Sequence, residues 1–122
     1  MAEYQSEYGV HGLTPLSRAV ALRLAEAGQR VSLHDDDIAI VRDYVFANRA
    51  TNGGLVGYAD LHDFVASLVR PRVVVAGDES QRERLAELLE EGDRCIVATL
   101  ADAALVGPAA EALAAELLGL NH

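Results

Sequence analysis

Short apolar, β-branched runs alternate along this chain with longer stretches of helical period, and that alternation constrains the fold more than any other feature. Strand candidates are Glu7 to His11, Val31-Ser-Leu33, Leu55-Val56-Gly57, Val73-Val74-Val75 and Cys95-Ile96-Val97-Ala98. Val73 to Val75 shows no polar alternation, which is expected of a strand covered on both faces. Between the strands, apolar residues recur at three- and four-residue spacing. Leu16, Val20, Leu22, Leu24 and Ala27 form the first such stripe, closed by Gly28. Ile38, Val41, Tyr44 and Val45 form the second, preceded by Asp35-Asp36-Asp37 and broken by Asn52-Gly53-Gly54. Asp60 reads as the N-cap of a helix carrying Leu61, Phe64, Val65 and Leu68. Gly77-Asp78-Glu79-Ser80 leads into a charged helix with Leu85, Leu88 and Leu89, stopped by Gly92-Asp93. An Ala/Leu-rich helix runs to about Leu118 with Pro108 near its start, and Leu105, Ala109, Leu113, Leu117 and Leu118 are its packing stripe. Alternating strands and helices predict an α/β fold, a three-layer, doubly wound parallel sheet with right-handed crossovers.

Charge and residue usage exclude several chemistries. The 122 residues carry 19 acidic and 10 basic side chains, a net charge of −9. That balance disfavours nucleic acid or an anionic membrane as partner. All the basic residues are Arg, so within this sequence no Lys general base, Schiff-base Lys or phosphate-loop Lys exists. Cys95 stands alone, which excludes an intrachain disulfide and a thiolate metal cluster. No secretory leader and no apolar run long enough to cross a bilayer are seen, so a cytoplasmic location is expected.

Doubly wound sheets bind ligands at the carboxyl ends of their strands, beside the first strand-to-helix turn. Here that turn is Gly9-Val-His-Gly12-Leu-Thr-Pro-Leu-Ser17. A dinucleotide fingerprint places three glycines at Gly12, Thr14 and Ser17, and two of them are replaced. Pro15 removes one amide from the phosphate nest, although it suits the first turn of a helix. Asp35 and Asp36 lie 23 and 24 positions after Gly12, where a carboxylate accepts ribose hydroxyls and repels a 2′-phosphate. Charge at a helix N-terminus accounts for them equally well.

Taken together, these residues resemble the N-terminal coenzyme domain of the 6-phosphogluconate and related β-hydroxyacid dehydrogenases. Tyr8-Gly-Val-His-Gly-Leu-Thr-Pro-Leu-Ser17 stands where that family has a strand entering G-L-A-V-M-G. Leu33-His-Asp-Asp-Asp37 stands at its F-N-R-T, and Leu55 to Val74 is similar to its V-V-G-A-x-S-L-x-E-M-V-x-x-L-x-x-P-R-x-I. Gly92-Asp93 stands at the start of its G-D-I-I-I-D-G-G-N-S. The resemblance implies one Rossmann-like NAD(P)-binding domain over residues 1–122, without the family's C-terminal helical domain. It implies a cofactor site of Gly9, Gly12, Leu13, Thr14, Pro15 and Leu16 in the first turn, Asp35 and Asp36 after the second strand, and Ala76 and Gly77 after the fourth.

Departures fall on the positions that carry the family's chemistry. Asp36 stands where an Arg holds the 2′-phosphate, so NAD is favoured over NADP. The V-K-A-G loop is shortened to Val75-Ala-Gly-Asp78, without its Lys. Ala98-Thr-Leu-Ala101 replaces G-G-N-S, and Leu100 cannot make the hydrogen bonds of the Asn. No catalytic residue is therefore assigned. His11, His34 and His62 read as structural, and His34 with the adjacent Asp residues reads as helix capping, not a metal site. Glu87, Glu90 and Glu91 read as a solvated helix face, Cys95 as a buried strand residue, and Asn48 and Asn52 as helix-end residues. Three functions remain open: a dinucleotide-binding domain without its own chemistry, part of a split dehydrogenase, or a module that binds no coenzyme and keeps the fold for a homodimer or a partner chain.

Overall fold

The structure is a computed structural model that describes residues 5–49, 54–98 and 105–120. Ten elements alternate along the chain: β1 (Tyr8–His11), α1 (Pro15–Glu26), β2 (Val31–His34), α2 (Ile38–Ala47), β3 (Leu55–Gly57), α3 (Leu61–Ala66), β4 (Val73–Ala76), α4 (Glu79–Ala86), β5 (Arg94–Val97) and α5 (Val106–Leu120). The strands form one parallel sheet in the order β3-β2-β1-β4-β5, the doubly wound arrangement the alternation predicts. The chain reverses direction across the sheet between β1 and β4, which places the switch point at the carboxyl end of β1.

Period-two alternation splits the sheet into two apolar faces. Tyr8, Val10, Val31, Leu33, Val73 and Val75 join residues of α1, α2 and α5 in the larger cluster. Val74 and Ala76 meet Phe64, Val65, Leu68 and Leu85 on the other face. Gly9 lies in mid-strand, and a Cβ there would stand 2.8 Å from the Phe64 ring and 3.0 Å from Leu68. The space beside Gly9 is therefore filled by α3 and its neighbouring loop. Gly9 lets the Phe64 and Leu68 side chains pack closely on β1, a packing role beside the site assignment from sequence.

The helix signals act largely as read. Thr14 caps α1 in a reciprocal capping box with Ser17, and Pro15 opens the helix. Gly28 follows the C-cap Ala27 with φ +91°, the left-handed conformation that ends many helices. Asp37, Asp60 and Asp78 cap α2, α3 and α4, and Asn48 closes α2, its side-chain amide donating to the Tyr44 carbonyl at 2.9 Å. Two helices are shorter than the apolar pattern suggested: Leu68 lies beyond α3, and Leu88 and Leu89 lie beyond α4, yet all three still pack in the second cluster. Pro108 is the third residue of α5, within its first turn, where proline is tolerated. The buried stripe of α5 is Ala110, Ala114 and Leu117, whereas Leu105 is 51% exposed. Small residues win those positions because α5 packs closely on α1. Asn52, Gly53 and Leu100 lie outside the described residues.

Polar groups inside the fold are paired, with few exceptions. Arg72 is buried at the start of β4, where its Nε donates to the Val65 carbonyl (3.1 Å) and its Nη1 to Asp93 (3.0 Å) and Glu90 (3.2 Å). Asp93 also accepts from the amides of Arg72 and Glu90. Glu90 further pairs with Arg70 at 2.9 Å, so it is a structural ion-pair partner and not merely part of a solvated face. Cys95 is half-buried, and burial raises its thiol pKa to about 11, which keeps it protonated.

At the carboxyl edge, the β1–β2 register sets His11 directly beside His34, and their Nδ1 atoms lie 3.0 Å apart. One ring donates and the other accepts, so the bond requires both to share a single proton. Both rings sit on Phe64, with centroids 6.3 and 6.0 Å from it. Burial, then the neighbouring His34, lowers the His11 pKa from 6.5 to about 4.

Two outcomes test this account. Arg72→Met strands the buried Asp93 carboxylate and should cost about 3 kcal/mol in a denaturant titration. For His11 the unfolded chain binds the proton more readily, so its stabilising neutrality is complete above pH 6.5 and is lost as pH falls toward about 4. Thermal melts across that window should show falling stability, and His11→Gln should flatten that part of the profile.

Candidate functional site: the cleft at the carboxyl end of β1

Gly12 turns the chain out of β1 with φ +91°, and its amide donates to the His34 carbonyl at 2.8 Å. A side chain would be strained there, and its Cβ would stand 2.0 Å from Oε1 of Gln81. Gly77, after β4, is equally confined: its Cβ would lie 2.7 Å from the Gly12 carbonyl oxygen and 3.0 Å from Thr14. The Gly77 amide donates to the His11 carbonyl at 2.9 Å. Gly12, Thr14, Ala76 and Gly77 thus lie together at the carboxyl ends of β1 and β4.

The amides that would form a phosphate nest are largely engaged by the chain itself. The Leu13 amide donates to Oδ2 of Asp35 at 2.8 Å. The Thr14 amide donates to Oγ of Ser17 at 2.8 Å, and the Ser17 amide to Oγ1 of Thr14 at 3.2 Å. Ser17 Oγ in turn donates to the Gly12 carbonyl at 2.6 Å. Ser17 therefore replaces a packing glycine with a hydroxyl that folds back on the turn. Pro15 is exposed at the helix start and has no amide to offer, whereas the Leu13 and Leu16 side chains are buried in the larger core cluster. The side chain nearest the Gly12 turn is that of Gln81, not Pro15 or Leu16. Gln81 from α4 lies over it, with its Oε1 buried and without a hydrogen-bond partner.

The rim beyond β2 is acidic. Asp35 also accepts from the Asp37 amide at 2.9 Å, so its carboxylate ties the first turn to the start of α2. Asp36 points to α4, where Nη1 of Arg84 lies 2.6 Å from its Oδ1. That guanidinium, through its hydrogen bond first, holds the Asp36 carboxyl below its ordinary pKa. Among the described residues no cluster of three or more His, Cys, Asp or Glu side chains could hold a metal ion. The sequence reasoning placed Asp35 and Asp36 at the site but missed Gln81, Arg84 and the His11–His34 pair. Only the ends of neighbouring strands and the i, i+3 spacing of Gln81 and Arg84 could have linked them.

A dinucleotide fits this cleft unevenly. The ribose end has carboxylate acceptors at the expected strand end. The pyrophosphate end offers fewer free donors than three glycines would, and Gln81 must swing aside to admit it.

No family model matches the chain. The curated 6-phosphogluconate dehydrogenase, decarboxylating 2, of Arabidopsis thaliana is 33% identical over 104 residues, covering 80% of this chain. The chain spans only 21% of that relative's length. Among solved structures, Plasmodium falciparum 6-phosphogluconate dehydrogenase, described in apo form and with its cofactor NADP+ and its substrate 6-phosphogluconate, superposes with a TM-score of 0.64 at 18% identity, over 75% of this chain and 21% of that one. Coxiella burnetii glycerol-3-phosphate dehydrogenase gives 0.56 at 20% identity, over 91% of this chain and 38% of that one. The two structures establish the fold, and the Arabidopsis sequence links it to one enzyme family. The chain thus has a Rossmann-like fold and is similar in sequence to part of a 6-phosphogluconate dehydrogenase.

Proposed function

We propose that this chain is an adenine-dinucleotide-binding domain that prefers NAD to NADP, binds it weakly, and supplies no hydride-transfer chemistry from its own residues. The carrying observation is the pair of carboxylates, Asp35 and Asp36, at the end of β2 beside the Gly12 turn. There they can accept ribose hydroxyls, while a 2′-phosphate would meet the negative charge of Asp35 beside the Asp36–Arg84 pair. Bound coenzyme would supply a nicotinamide for hydride exchange; this chain would orient its adenosine end through Asp35 and Asp36 and its pyrophosphate through the Gly12 turn. A deprotonating side chain and a substrate clamp are also needed for dehydrogenation. The sequence has no Lys, and the paired His11 and His34 are buried among apolar groups. Dehydrogenation of a 6-phosphogluconate-like hydroxyacid would thus need residues from outside these 122.

Weak binding follows from the engaged amides of Leu13, Thr14 and Ser17, because a pyrophosphate must displace bonds the protein already makes. The same observation favours the second reading, a scaffold that keeps the fold without a coenzyme and serves as an interaction module.

Isothermal titration with NAD and NADP separates the two. The coenzyme reading expects a measurable NAD affinity exceeding that for NADP, and Gln81→Ala should strengthen NAD binding by about tenfold by clearing the hollow. No heat from either coenzyme at millimolar concentration, in the parent chain and in Gln81→Ala, would leave only the scaffold.

A further inference from the structure

We propose that Arg84 of α4 is a second specificity-determining residue: the Asp36–Arg84 pair, not Asp36 alone, sets how strongly the cleft refuses a 2′-phosphate. This rests on the coenzyme reading above and adds a residue from a different element.

Acidic side chains after β2 would refuse a 2′-phosphate by simple repulsion, but Asp36 is not a free carboxylate. Its Oδ1 lies 2.6 Å from the Arg84 guanidinium, so the pair carries no net charge. Arg84 reaches it across 48 positions of sequence, from the helix that follows β4. The direction of that reach is set one turn earlier. Gln81, on the same face of α4, lies against Gly12 and Gly77, so this face looks onto the first turn and the ribose end of the cleft. Both side chains of the pair are about half exposed, with relative areas of 46% for Arg84 and 59% for Asp36. A guanidinium has five N–H donors, and the contact with Asp36 uses only part of that fork. The remainder faces solvent at the cleft rim. A phosphate monoester, with about −1.5 to −2 charges, competes well for such a fork against a single carboxylate.

Two consequences follow that repulsion by Asp36 alone does not produce. Removing the guanidinium unmasks Asp36, so 2′-phosphate is refused more strongly. Removing the carboxylate charge frees Arg84, so 2′-phosphate is accepted, and that gain depends on Arg84.

Isothermal titration of four proteins (the parent chain, Arg84→Gln, Asp36→Asn and the double variant) with 5′-AMP and with 2′,5′-ADP tests this. The probes differ only in the 2′-phosphate, and neither carries the pyrophosphate that Gln81 obstructs. The expected result is that Arg84→Gln weakens 2′,5′-ADP about tenfold relative to 5′-AMP, Asp36→Asn strengthens it about tenfold, and the double variant loses that gain. Binding of both probes with a ratio indifferent to Arg84, or a gain that persists in the double variant, would overturn the proposal and leave the coenzyme reading intact. If neither probe, nor NAD itself, binds any of the four proteins, the coenzyme reading fails and this one with it.

Discussion

The parallel register between β1 and β2 governs the rest of this structure. Pairing Tyr8 with Val31 and His11 with His34 turns Tyr8, Val10, Val31 and Leu33 toward α1 and α5. The same register turns Gly9, His11, Ser32 and His34 toward α3. A slip of β2 by one residue would invert its faces and bury His34 where Leu33 now packs. It would also dissolve the bond from the Gly12 amide to the His34 carbonyl, which fixes where the chain leaves the sheet. The cleft is in this sense a product of strand pairing before it is a product of any loop.

What the register creates, the loops then partly close. In a glycine-rich turn the orphan amides at a helix N-terminus wait for an anion. Here a carboxylate from β2 and two hydroxyls within the turn take that role, making the first turn self-sufficient. The substitution of Thr14 and Ser17 for glycines is therefore more than loss of space: each new hydroxyl satisfies a group that a ligand would otherwise satisfy. Electrostatics follows the same pattern, since Asp36 is answered by Arg84 from within the chain.

Much of the architecture was legible in the sequence because it is written in local signals. Unbroken Val73 to Val75, the cap Asp60, and the positive-φ glycines each announce their role within a few residues. The site was legible only where it is local too. Gly12, Asp35 and Asp36 follow from strand ends and spacing. Gln81, Arg84 and the facing of His11 on His34 depend on which strands become neighbours, and periodicity carries no information on that. The packing role of Gly9 was hidden for the same reason: its small size serves Phe64 and Leu68, which approach from 55 or more positions away. The role of Glu90 in the Arg72 network was hidden behind an ordinary-looking charged stretch.

Tyr8 ties the beginning of this architecture to its end. Its ring is wholly buried in β1, and its hydroxyl donates to the carbonyl of Leu117 in α5 at 2.8 Å. A ribosome delivers those two groups in order, 109 residues apart. While the nascent chain emerges, the Tyr8 flank of β1 is completed only when α5 arrives. The five strands can pair before α5 emerges, so closure around the first strand follows assembly of the sheet.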